Sequence, residues 1–222
     1  MIAYTRTDVQ LDLGTQVPIF GRIVQKLKAA LRSVIGARAY AAIARRKIIR
    51  SETSRHRVLA KFCAGNGVDI GFGGDPITPS ATRMDLPSPY TSVGRAPVQL
   101  GGDCRDLHWF GDNALDYVYS SHVPEDFAET ETMSILREWT TVLRPGRRLV
   151  LLLPDQQRYL AHCHRVGELN PDGIVGNPHY SIPTFSLRYV DAKANELGTL
   201  RKIDAFELLG PYSFAVVYEK EK

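Results

Sequence analysis

The stretch V-D-I-G-F-G-G-D-P, residues 68 to 76, sets an acid inside a short apolar run and ends that run in a glycine-rich turn. Glycine tolerates positive φ and has no Cβ, so such a turn lets a ligand lie against the main chain. A bound nucleoside is the ligand it suits. Glycine-rich turns after strands also serve dinucleotide enzymes, and the acid Asp69, inside the strand, is the discriminating detail. Further acids stand at Asp85 in R-M-D-L-P and at Asp103 in G-D-C-R-D-L. His122, in Y-S-S-H-V-P-E-D-F, offers a neutral imidazole suited to take a proton near pH 7. Glu125 and Asp126, just after it, read as caps for the following helix.

The elements that must hold these residues alternate between strand and helix from Gly67 onward, the pattern of a parallel sheet with crossover connections. Apolar runs predict seven strands, at 68–70, 83–86, 98–100, 115–119, 148–153, 202–209 and 213–219. Only Gly210, Pro211 and Tyr212 separate the last two, too few for a parallel crossover, so they form an antiparallel pair. Helices are predicted at about 127–143 and 184–196, with Ile135, Leu136, Trp139, Val142 and Leu143 sharing one face of the first. The polar stretch 154–183 reads as a long segment beyond the fifth strand, where the loops of an open α/β sheet build a ligand crevice. Trp109 and Phe110 read as pocket wall or core. His162 and His164 do not converge on a metal with any third ligand, and no metal site is expected.

The motifs together resemble the class I S-adenosylmethionine-dependent methyltransferases, in particular the small-molecule branch called type 11. An acid, one apolar residue and G-x-G close the first strand of that family, matched by Asp69, Ile70, Gly71, Phe72 and Gly73. D-Y-V-Y-S-S-H-V-P-E-D-F, residues 116–127, is similar to the fourth-strand motif and its exit loop, and L-R-P-G-R-R-L-V-L, residues 143–151, to the turn into the fifth strand. The resemblance implies that the glycine turn and Ser120 lie by the methionine moiety. It implies that Asp85, with Leu86 beside it, binds the ribose hydroxyls, and that Asp103 takes the adenine amine while the Cys104 amide faces the ring. The implied fold is Rossmann-like, with seven mostly parallel strands and an antiparallel last strand. The implied cofactor is S-adenosylmethionine. Carboxylates at three successive strand ends agree with it, since they suit hydroxyls and amines and would repel the phosphates of a dinucleotide.

Methyl transfer is a direct displacement, so alignment of the acceptor matters most and a base is needed only where the acceptor loses a proton. His122 is the expected base. The expected acceptor is a small molecule or a sugar hydroxyl of a glycan. A nucleic-acid methyltransferase, or a methyltransferase-like scaffold acting through its basic segment, are the alternatives; no N-P-P-Y-type tetrad for base amines occurs, so nucleic acid is not expected.

The sequence departs from the family: the third glycine of the usual loop falls at Asp75, and two connections are short. Pro76–Thr82 is too short for the customary helix between the first two strands, and 87–97 holds three prolines. A parallel sheet needs both faces covered. Apolar residues recur at helical intervals between Ile23 and Ile49, and a short helix is predicted at about 54–62, so residues 1–62 are expected to form a basic helical extension packed on a methyltransferase domain of 63–222. Arg22–Arg57 holds eleven basic residues and one acid, hence +10 of a chain total of +4, leaving −6 elsewhere. Such a block reads either as a solvated helix face or as an attraction to anionic surfaces, whether lipid or nucleic acid, and a peripheral membrane contact through 22–57 is one expected use. Three scattered cysteines make no disulfide framework, and Met1–Gln10 lacks the apolar core of a signal peptide. A cytoplasmic protein is expected.

Overall fold

A computed structural model describes residues 57–86, 96–167 and 184–222. Seven strands, β1 (Gly67–Ile70), β2 (Thr82–Asp85), β3 (Leu100–Gly101), β4 (Leu115–Ser121), β5 (Leu143–Pro154), β6 (Leu200–Leu209) and β7 (Ser213–Lys220), form one sheet in the order β3-β2-β1-β4-β5-β7-β6. All pairings are parallel except those of β7, which runs antiparallel to β5 on one side and β6 on the other. The expected Rossmann-like sheet is what the chain forms. The order reverses between β1 and β4, and the crevice beyond their carboxyl ends is where an open α/β sheet takes its ligand.

Three α-helices are described: α1 (Glu129–Thr141), α2 (Gln156–Val166) and α3 (Leu187–Leu197). None is long and apolar enough to cross a membrane. Helices α1 and α3 cover one face of the sheet. Ile135, Leu136 and Trp139 of α1 and Val190 and Ala194 of α3 join Val68, Val118, Leu149, Leu151 and Val216 in a single buried cluster. Each fully buried side chain of this size contributes about 1.5–3 kcal/mol, so this face anchors the fold. The Trp139 indole donates to the Cys104 carbonyl at 2.7 Å, which ties the loop after β3 to the same helix.

Among the described residues, cover on the opposite face is thinner. Tyr117, Tyr119, Val150, Leu152, Ala215 and Val217 lie beneath Leu59, Cys63, Ile77 and Ala81. Among the described residues no helix joins β1 to β2, as the short spacer there requires, and none joins β3 to β4. Leu59 stands on a 3-10 helix, Arg57–Phe62, where the sequence predicts a helix from about 54. The rest of the expected N-terminal extension lies outside the described residues, as does the proline-rich connection 87–95.

Two elements differ from expectation. Residues 156–166, read from sequence as part of a long segment, form α2: the Asp155 carboxylate accepts from Arg158 N at 3.0 Å and Gly167, at φ +66°, closes the helix. These are ordinary start and stop signals. The third strand shrinks to two residues because the Gln99 side-chain carbonyl takes Arg83 N–H at 3.0 Å, standing in for a ladder bond, next to Pro97, which has no N–H to give.

Candidate functional site

The turn after β1 passes through Gly71 at φ +67°, Gly73 at +58° and Gly74 at +97°, a left-handed path open to glycine and few other residues. Gly71 N–H donates to the Met84 carbonyl at 2.9 Å, binding the turn to β2. A Cβ on Gly71 would lie 2.2 Å from Val123 Cγ2, so the turn rests directly on the exit of β4. One on Gly73 would meet nothing nearer than the Gly71 carbonyl at 3.9 Å. The Gly73 side of the turn is therefore open, and Phe72 between them is buried.

Asp69 is fully buried under this turn. Its Oδ2 accepts from Ile77 N at 2.6 Å, and its Oδ1 has no hydrogen-bond partner. Burial pushes its carboxyl up to about 8, against the pull of the Ile77 amide and with the negative charges of Asp75 and Asp85 adding. The acid thus pins the loop that replaces a helix between β1 and β2, while its other oxygen is buried without a hydrogen-bond partner among the described residues.

Asp85, at the end of β2, sits beside the open side of the turn. Its Oδ2 accepts from Gly73 N at 3.4 Å and its Oδ1 from Leu86 N at 2.8 Å. Partial burial raises its pKa despite both amides. Leu86 is exposed. On the other side of the turn, Ser120 is fully buried and its hydroxyl donates to the Ile70 carbonyl at 3.2 Å, cross-linking β4 to β1 beneath the loop.

Asp103 is engaged by a neighbour. Arg105 grips its carboxylate through Nε at 3.0 Å and Nη2 at 2.5 Å, and this contact holds the Asp103 pKa below its ordinary value. The same guanidinium reaches Glu131 Oε1 at 2.7 Å and lies 5.1 Å from the Phe127 ring centroid. Cys104 is buried, which pushes its thiol up to about 12. The Trp109 indole, 39% exposed, lies over Gly102, where a Cβ would come within 2.2 Å of the ring.

His122 stands just past β4 in the left-handed region, φ +57°, its N–H donating to the Leu152 carbonyl at 2.9 Å. Its Nε2 is 3.2 Å from Ser213 Oγ, and its Nδ1 is 3.3 Å from Glu125 Oε1. Tyr212 meets the ring edge-on at 6.3 Å, and Tyr159 and His162 of α2 gather on Tyr212 at 5.0 and 5.4 Å. Glu125 therefore does not cap α1; Ala128 N–H is taken instead by the Glu131 side chain at 3.1 Å. Ser213 and Tyr212 escaped the sequence reading, because nothing in a hairpin turn at 210–213 signals a partner 91 residues away. His162 and His164 are on α2, and among the described residues no group of three acidic, histidine or cysteine side chains could hold a metal. The segment 168–183, expected to border the acceptor, lies outside the described residues.

The sequence-predicted residues fall into two groups at the switch point. Asp69, Gly71, Gly73 and Asp85 surround the glycine turn, with Asp103 and Cys104 on the adjoining loop; Ser120 and His122 carry the site across to β4. The donor set fits a nucleoside with an amino-acid tail. The fit rests on the open face of Gly73 next to a carboxylate already held by two backbone amides, and on the unsatisfied buried oxygen of Asp69.

No family model matches the sequence, and no curated protein matches it. Solved structures do. The chain is similar to a protein of Pyrococcus horikoshii OT3, with 18% identity and a TM-score of 0.59 over 78% of this chain and 90% of that one. It is similar to a SAM-dependent methyltransferase from Archaeoglobus fulgidus, at 13% identity and TM-score 0.57 over 78% and 94% of the two chains. A Thermotoga maritima SAM-dependent methyltransferase, described as a possible histamine N-methyltransferase, aligns over 91% of this chain and 98% of its own at 16% identity and TM-score 0.58.

Proposed function

We propose that this protein, which has the fold of the class I S-adenosylmethionine-dependent methyltransferases, is such an enzyme and methylates a hydroxyl of a small molecule or glycan. The observation that carries the reading is the pairing of Asp85 with the open Gly73 turn at the point where the strand order reverses. In this reading Asp85 holds the ribose hydroxyls. Asp103 takes the adenine amine with the Cys104 amide beside it, and Asp69 with Gly71–Gly73 receives the methionine end. When bound, S-adenosylmethionine supplies an electrophilic methyl group.

The chain's own residues then have three tasks. The glycine turn and Asp85 orient the nucleoside. The aromatic group of Tyr212, Tyr159 and His162 borders the acceptor and excludes water from it. His122 Nε2 accepts the proton that the acceptor hydroxyl gives up. The basic segment 22–57 serves peripheral attachment to anionic lipid, where each Lys or Arg near the surface contributes about 1 kcal/mol, from a cytoplasmic location.

Calorimetric titration with S-adenosylhomocysteine, with NAD as control, tests the assignment. Micromolar affinity for the first and none for the second is expected. Asp85→Ala is expected to weaken binding at least about tenfold, since it removes a charged acceptor from two hydroxyl donors. Binding of neither ligand by the wild type would refute the enzyme reading and favour a scaffold.

A further inference from the structure

Glu125 has no place in the reading above, yet it is 2% exposed and neither of its oxygens has a hydrogen-bond partner. A buried carboxylate left alone is costly, and pairing is the usual remedy. The cationic or donor group it faces is His122 Nδ1, at 3.3 Å. On the far side of the same ring, Nε2 is 3.2 Å from Ser213 Oγ. The serine and the buried carboxylate thus lie against different nitrogens of one imidazole.

Chemistry decides how the proton sits. With hydrogen on Nδ1 the imidazole turns that proton toward the Glu125 charge, and its Nε2 lone pair accepts from the serine hydroxyl. The other tautomer would set the Nδ1 lone pair against a carboxylate that has no other donor. The residue is held besides by its left-handed backbone, by its backbone N–H hydrogen bond to the Leu152 carbonyl and by the edge of Tyr212. Non-glycine residues held in that region cluster at functional sites. The His122 side chain remains 30% exposed, so one edge is open to a ligand.

We propose that Glu125 is a positioning residue that holds His122 with its lone pair on Nε2, toward the Ser213 hydroxyl. This rests on the methyltransferase reading. The acceptor oxygen forms its bond to the methyl carbon while its proton passes to the Ser213 oxygen and the Ser213 proton to Nε2, and the breaking C–S bond leaves its electron pair on sulfur. The imidazolium so formed faces the Glu125 carboxylate and later returns the proton to water. An alcohol needs this help, because its methylated oxonium is far more acidic than the product of a neutral amine. The titratable groups around the ring are Glu125 on the turn after β4 and Tyr212 on the β6–β7 hairpin, with Tyr159 and His162 of α2 behind Tyr212.

The test is nitrogen NMR of the full chain carrying 15N-histidine, at a pH where free imidazole is neutral. His122, assigned by its loss in His122→Ala, is expected to show protonated Nδ1 and bare Nε2 in clear excess, the effect of a carboxylate charge 3.3 Å from Nδ1. Glu125→Leu and Glu125→Gln, which both remove the charge, are expected to weaken that bias, and Glu125→Asp, which keeps it, to retain more of it than either. A wild-type ring protonated on Nε2 would overturn the proposal without needing any variant to fold. So would a bias that survives undiminished in a Glu125→Leu protein of unchanged S-adenosylhomocysteine affinity. Labelling of Ser213 by a fluorophosphonate would also overturn it, by assigning the three residues to acyl chemistry. Failure of the wild type to bind S-adenosylhomocysteine strikes the methyltransferase reading instead, whatever the tautomer.

Discussion

Replacing Gly71 by alanine separates two physical costs at the point where the turn after β1 meets the exit of β4. Gly71 has φ +67°, and a Cβ in the left-handed region costs about 1–2 kcal/mol. The same methyl would lie 2.2 Å from Val123 Cγ2, and forcing a carbon into a packed contact costs about 1–3 kcal/mol. The sum, about 2–5 kcal/mol, lowers the melting temperature of a domain this size by roughly 4–20 °C. Val123→Ala removes the struck atom and leaves the backbone alone. In the double variant the overlap cost disappears and the φ cost stays, so the coupling energy is expected to be about 1–3 kcal/mol, the size of the overlap term. Urea unfolding of the four proteins in the cycle measures it. Additivity within about 0.5 kcal/mol would refute the idea that the turn is seated on Val123.

Asp69→Asn keeps an acceptor for Ile77 N–H and removes the ionisable proton. The folded acid titrates near about 8 while the unfolded one titrates near about 4, so between those values the folded chain binds more protons and wild-type stability falls as pH rises. The variant's melting temperature should therefore gain on the wild type across that window and keep a constant lead above it; a flat difference would refute the buried-acid account. Arg105→Ala frees the Asp103 carboxylate. The pair is largely exposed, and such pairs contribute about 0–1 kcal/mol, so stability should hardly change while affinity for S-adenosylhomocysteine rises. Weaker binding in calorimetry would mean that Asp103 acts through Arg105 and not on the adenine amine.

The seven strands and their antiparallel close were legible because apolar runs are local and their spacers are short. Residues 76–82 cannot hold a helix, and the structure has none there. That Asp69, Asp85 and the glycines meet at one turn was legible because strand ends and turn adjoin in sequence. What stayed hidden depends on distance along the chain. Glu125 looks like a helix cap when only its neighbours are read, and its burial against His122 is a tertiary fact. Ser213 reaches His122 only because β7 enters beside β5 with Ser213 opposite Pro154. Gln99 and Arg105 show the same limit on a smaller scale: a side chain that replaces a ladder bond, or occupies a neighbour's carboxylate, leaves no periodicity to read.

The place of β7 has a consequence for the order in which the molecule comes into being. It follows the other six strands in the sequence, yet it lies inside the sheet with β6 at the margin, so β5 and β6 have no neighbour in common until residues 213–220 have been made. A nascent chain that ends short of them contains the glycine turn and His122 but not Ser213. On the proposed function, the residues assigned to the nucleoside are therefore synthesised before the serine that faces the base.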